Sequence, residues 1–200
     1  MAFLSQASQI RCKQLVQRHP GFSVIWQISL LCLAILLCSI PLIRAQSEGP
    51  TEYQVKAAFI YNFAKFVEWP TDAFSDSTAP LRFCVLGESL VGPDLSQITQ
   101  GKVIGGHPIQ VLQNSRNVRE CHVLFISASH NIAMKDIQEA LRRVPVLTVG
   151  ESRDFAAQGG MIGFVVEDSR VRFEVNLQAA KQMRLNISSK LLSLAKKVLT

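Results

Sequence analysis

"HVLFISASHNIAMKDIQEALRRVPVLTVG" occupies residues 122–150 and changes its hydrophobic period twice. The first six residues, "HVLFIS", form an apolar run that suits a strand covered on both faces. "NIAMKDIQEALRRV" then shifts to a helical period, with Ile132, Ile137 and Leu141 on one stripe. Arg142 and Arg143 stand at its C-terminal end, where the helix dipole favours positive charge. "VPVLTVG" (144–150) is apolar again and ends in glycine. Strand, amphipathic helix and strand in succession is the signature of a parallel sheet.

The pattern extends in both directions. Upstream, "LRFCVLG" (81–87) reads as a buried strand, "DLSQITQ" after Pro93 as a short helix, and "HPIQVLQ" (107–113) as a strand. Further back, a helix is expected from Thr51 or Glu52 to Glu68, with Glu52 and Lys56 as an i,i+4 pair. Val55, Phe59, Phe63 and Phe66 share its apolar stripe, widened by Ile60 and Val67, while Tyr61, Lys65 and Glu68 fall on the other side. Trp69-Pro70 is expected to stop the helix, because the residue before proline is pushed out of the α region. Downstream, "SRDFAAQGG" reads as a short helix closed by Gly159-Gly160. "MIGFVV" and "VRFEVNL" are joined by "EDSR" and read as an antiparallel edge hairpin. Val171, Phe173 and Val175 face one way there, and Arg170, Arg172, Glu174 and Asn176 the other. "QAAKQM" and "SSKLLSLAKKVL" close the chain as helices, the last capped by Ser188 or Asn186. The expected fold class is α/β: a mostly parallel sheet with helices on both faces and an antiparallel edge hairpin near the C-terminus.

Residues 1–45 have a different character. Arg11, Lys13 and Arg18 precede the uncharged stretch "ISLLCLAILLCSI" (28–40), and "IRA" follows Pro41. That order is a secretory signal peptide with a cut after Ala45; the alternative is an uncleaved signal anchor. Either reading puts residues 46–200, expected as one domain, outside the cytoplasm. Four of the 21 Lys and Arg lie in this leader and none of the 15 Asp and Glu, so the remainder carries 17 basic against 15 acidic residues. The high isoelectric point therefore belongs to the leader, and nucleic-acid binding drops out. Two cysteines remain beyond it, Cys84 and Cys121. In an exported chain they are expected to form a disulfide, with two buried reduced thiols as the alternative.

No catalytic motif stands out. "GKVIGGHP" matches no phosphate-loop spacing and reads as a tight turn. His107, His122 and His130 lack metal-ligand spacing, so no metal and no cofactor is expected. "SASH" (127–130) with Asp136 lies where α/β enzymes place catalytic loops, yet lacks the nucleophile elbow. No enzyme is expected, and a hydrolase built on this loop ranks third among the readings. Core packing accounts for Phe59, Phe63 and Phe66. Tyr61, Lys65 and Trp69 are left as candidate partner contacts, together with Arg170, Arg172 and Glu174 on the hairpin.

"VKAAFIYNFAKFVEWP", "LRFCVLG", "GGMIGFVVEDSRVRFEVNLQAAKQ" and "ISSKLLSLAK" together resemble the YfiR family of bacterial periplasmic proteins, over about residue 50 to the end. The resemblance implies an exported α/β domain that forms homodimers and has no known catalysis. It implies a negative regulator that binds the periplasmic part of an inner-membrane diguanylate cyclase, lowering cyclic di-GMP and biofilm formation. It implies an OmpA-like outer-membrane lipoprotein that sequesters the regulator. Cys84 and Cys121 match the placement of the family's structural disulfide. The second cysteine pair of some relatives has no counterpart here, which puts redox sensing through such a bridge in doubt. The runner-up reading is a periplasmic small-molecule-binding module that relays occupancy to a membrane sensor.

Overall fold

The apolar runs pair side by side as strands of one sheet. The computed structural model describes residues 50–200 except 116, 131 and 132. The expected leader, the first residues of the linker and Ile132 lie outside the described residues. In chain order the helices are α1 (Glu52–Lys65), α2 (Val91–Thr99), α3 (Met134–Ala140), α4 (Leu177–Gln182) and α5 (Ser189–Leu192). The strands are β1 (Val67–Glu68), β2 (Leu81–Leu86), β3 (Val103–Ile104), β4 (His107–Gln113), β5 (Val123–Ile126), β6 (Leu147–Gly150), β7 (Ile162–Glu167), β8 (Arg170–Asn176), β9 (Asn186–Ile187) and β10 (Lys197–Leu199).

Eight of these form a sheet in the order β10-β8-β7-β6-β5-β2-β4-β3. β4, β2, β5, β6 and β7 are parallel, β7 and β8 form the antiparallel hairpin, and β10 runs parallel to β8. The α/β class, the mostly parallel sheet and the C-terminal hairpin are as the sequence predicts. Asp168 (φ 49°) and Ser169 (φ 58°) make the two-residue hairpin turn, whose left-handed backbone matches the twist of the flanking strands.

Strand alternation divides the core. Phe83, Val85, Val123 and Phe125 pack with α1 and α2 on one face, while Cys84, Leu86, Leu124 and Ile126 pack with α3 on the other. Cys84 and Cys121 are bridged, with Cα atoms 5.8 Å apart, as expected from their number. The bridge ties β2 to the segment entering β5, within the core on the α3 face.

α1 starts as expected. Thr51 and Gln54 form a reciprocal capping box, satisfying two N-terminal donors. Its fully buried line is Ala57, Ile60, Phe63 and Ala64, with Val55, Phe59 and Phe66 half-buried alongside. Phe63 sits 4.9 Å from Phe173 and 5.8 Å from Phe164, centroid to centroid, the spacing at which aromatic pairs attract.

Three segments depart from expectation. α1 ends at Lys65 rather than at Glu68, because Val67 and Glu68 pair antiparallel with Ile187 and Asn186. The segment 152–160 is a series of turns rather than a helix. The Phe155 ring fills the space beside Gly150 and Gly160, where an added Cβ would meet it at 2.3 and 2.1 Å. The closing helix covers only Ser189–Leu192 behind its Ser188 cap; Lys197–Leu199 instead pairs with Glu174–Asn176 as β10. An open strand edge offered that segment more hydrogen bonds than a frayed terminal helix would. Among the described residues, no helix is long and apolar enough to cross a membrane.

Candidate functional site

β2 leads to α2 on one face of the sheet and β5 leads to α3 on the other. Their C-terminal ends therefore bound the place where connections reverse direction, which is where open α/β sheets hold ligands. Gly87 closes β2 with φ +84°, and an added Cβ would lie 2.9 Å from Ser129 Oγ. Only glycine combines that backbone with so close an approach.

The loop against Gly87 is "SASH". Ser127 Oγ lies 2.9 Å from the Glu88 carbonyl oxygen and 3.1 Å from Glu151 Oε1, and Ser129 Oγ donates to Glu88 O at 3.0 Å. Glu151 Oε1 also accepts from the Ala128 amide at 3.2 Å. Its other oxygen, Oε2, is 2.6 Å from Lys56 Nζ, and Lys56 in turn is 2.6 Å from Glu52 Oε1. Lys56 is only 4% exposed. Burial pulls its pKa down, but the hydrogen bonds and charges of Glu151 and Glu52 outweigh that and hold it above the ordinary lysine value. Lys56 is thus a fixed ammonium that anchors the loop through Glu151.

Beside this network opens a cavity of about 540 Å³, lined by Leu86, Val118, Ile137 and Ala140 with Glu88, His130 and Asp136. His130 Nε2 is buried there with no hydrogen-bond partner among the described residues. Among the described residues, neither serine hydroxyl bonds to the His130 ring: the Ser127 and Ser129 hydroxyls lie 3.2 Å from each other, and Ser129 Oγ donates to the Glu88 carbonyl. Among the described residues, no group of His, Cys, Asp and Glu is placed to hold a metal ion.

Sequence reasoning missed Glu151 and undervalued Lys56. Glu151 directly follows Gly150, the end of a parallel strand, and that position was the available signal. Lys56 read only as half of a surface pair with Glu52, a pair that does form.

The proposed contact residues fall into two places. The Tyr61 ring is half-buried between Lys65 Nζ at 5.4 Å and Lys102 Nζ at 4.7 Å, both within cation–π range. Lys65 is exposed, while Trp69 is half-buried against the core with Nε1 buried and unpartnered among the described residues. Arg170 and Arg172 are exposed on the hairpin and Glu174 is half-buried. Asn176, expected on the same outward row, is engaged: its Nδ2 donates to Ala156 O and its Oδ1 caps α4. Arg170 lines one cavity with Val55 and Phe59 near the start of α1. Lys65 is ten residues further along that helix than Val55, about 15 Å at the α-helical rise. The structure does not gather the two sets into one patch.

His107 and His122 are both engaged with Phe74 of the loop before β2. Their rings stack on either side of Phe74, at 3.7 and 4.4 Å between centroids.

No curated protein matches the chain. A family model described as YfiR/HmsC-like matches residues 53–196. That span runs from the first turn of α1 to the residue before β10 and includes the crevice, the disulfide and both sets of candidate contacts. The chain belongs to the YfiR/HmsC-like family.

Proposed function

We propose that this protein is a periplasmic negative regulator that binds the sensor region of an inner-membrane diguanylate cyclase and represses cyclic di-GMP synthesis. The observation that carries this reading is the family match across 53–196. The regulator acts by contact: it binds the inhibited state of the sensor more tightly than the active one, and its effect is bounded by that difference. The proposed assembly is a homodimer, and an OmpA-like outer-membrane lipoprotein is the proposed partner that withdraws the regulator. Deleting the gene and measuring cyclic di-GMP tests the proposal; an unchanged level refutes it. Co-purification with the cyclase from native detergent tests direct contact.

The second reading is a small-molecule-binding module that signals through the same membrane partner. The cavity at the C-terminal ends of β2 and β5, with His130 Nε2 unpartnered among the described residues, favours it. Native mass spectrometry of the purified protein tests that reading, and absence of any bound molecule or ligand-induced shift in melting counts against it.

A further inference from the structure

We infer that the loop of residues 70–80, between β1 and β2, is an acid-released clasp held shut by a neutral His122. The hydrogen bonds fix the ring's state. The Arg82 backbone amide donates to His122 Nδ1 at 3.0 Å, and a backbone N–H can only donate. The ring's own hydrogen therefore sits on Nε2, which donates to the Ala73 carbonyl at 3.1 Å. Phe74 lies flat between this ring and His107, at interplanar angles of 13° and 9°. His107 Nδ1 in turn reaches the Ala79 carbonyl at 2.7 Å. Two imidazoles thus hold the loop by both carbonyls and by its one aromatic side chain.

A second proton on His122 has only Nδ1 to occupy, and there it faces the Arg82 N–H, donor against donor. The ring must turn or leave, and either movement gives up Ala73 and the Phe74 stack. Among the described residues, no carboxylate pairs with the ring. Arg82 from β2 and His107 from β4 face the ring, and Arg119 lines the same cavity. Glu120, also on that cavity, accepts from Asn117 Nδ2 at 2.7 Å, and Asp76 of the loop is held by Ser75 and Thr78. Burial of His122, which is 7% exposed, acts in the same direction as the nearby cations. Loop opening is therefore the route by which the charge reaches water. Trp69 stands at the entrance to the loop, so release alters one of the two sets of candidate contacts. The clasp does not depend on the regulatory reading.

Amide hydrogen exchange of the full-length protein tests the clasp, compared at about pH 7.5 and pH 5, on either side of the ordinary histidine value, and corrected for intrinsic exchange. Protection of the amides of residues 71–79 is expected to fall roughly tenfold or more, while β5 keeps its protection. Trp69 fluorescence should follow with the same midpoint, and His122→Asn should abolish the acid response. A loop whose protection ignores pH, or an acid response that keeps its midpoint in His122→Asn, overturns the inference. Should that variant fail to fold, long-range nitrogen–proton spectra of the wild-type rings decide. Hydrogen on Nε2 at neutral pH, with titration that coincides with loop opening, supports the clasp. Hydrogen on Nδ1, or titration without loop opening, sinks it.

Discussion

Lys56 Nζ lies 2.6 Å from Glu151 Oε2, across 95 positions of sequence, and joins the first helix to the residue that follows β6. Glu151 spends its second oxygen on Ser127 and Ala128, so one carboxylate fastens α1 to the loop beside the crevice.

Lys56→Met should expose the dependence. It leaves Glu151, whose side chain is 11% exposed, with donors but no cation. Breaking a buried pair on one side costs about 3–5 kcal/mol, and the retained donors put this case near 3. Urea unfolding should show a lower midpoint at unchanged slope. An unaltered midpoint would mean the pair contributes nothing net.

Stability should also depend on pH at both ends. The Lys56 pKa is raised on folding, so its contribution is complete below the unfolded value of about 10.4 and is lost as pH rises through the folded one. His122 is the opposite case. Burial, opposed by its bond to Ala73 and reinforced by Arg82 and His107, holds its pKa below the ordinary value. Its contribution is present above about pH 6.5 and lost as pH falls through the folded pKa. Unfolding midpoints measured across pH should form a plateau between these limits. Lys56→Met should flatten the alkaline limb, and His122→Asn the acid one.

The disulfide closes a loop across 37 positions in the core. Replacing Cys84 and Cys121 together by alanine should cost about 4 kcal/mol in the chain-entropy model, seen as a lower urea midpoint. Thiol reagents should leave both residues of the native, unreduced protein unlabelled. Labelling of both would refute the bridge.

Lys65 can be tested apart from the hairpin set, because it lies ten residues, about 15 Å, along α1 from Val55, which lines the Arg170 cavity. The hairpin set is the better bet, since Arg170 shares its cavity with Val55 and Phe59 and stands near exposed Val166. Arg170→Glu with Arg172→Glu should weaken binding to the proposed cyclase partner roughly tenfold, the effect of losing one interface anchor. Lys65→Glu should have little effect. All three side chains are exposed, so the fold should survive; melting curves would check this. The reverse order of effects would move the contact to the end of α1.

Features that repeat over several residues, or that can be counted, were legible in the sequence. The apolar runs of β2, β5 and β6, the start of α1 at Thr51 or Glu52, the β7–β8 hairpin and the even cysteine count after residue 45 belong here, because each is a local pattern. Tertiary packing settled the pieces too short to have a period. Val67-Glu68 and Lys197–Leu199 became strands because a distant edge offered them partners. Lys56 became a buried charge because Glu151 waits at the end of β6, and His122 a neutral ring because Arg82 and Ala73 claim its two nitrogens. Burial of a polar group depends on its partners, and those partners lie between 40 and 95 positions away.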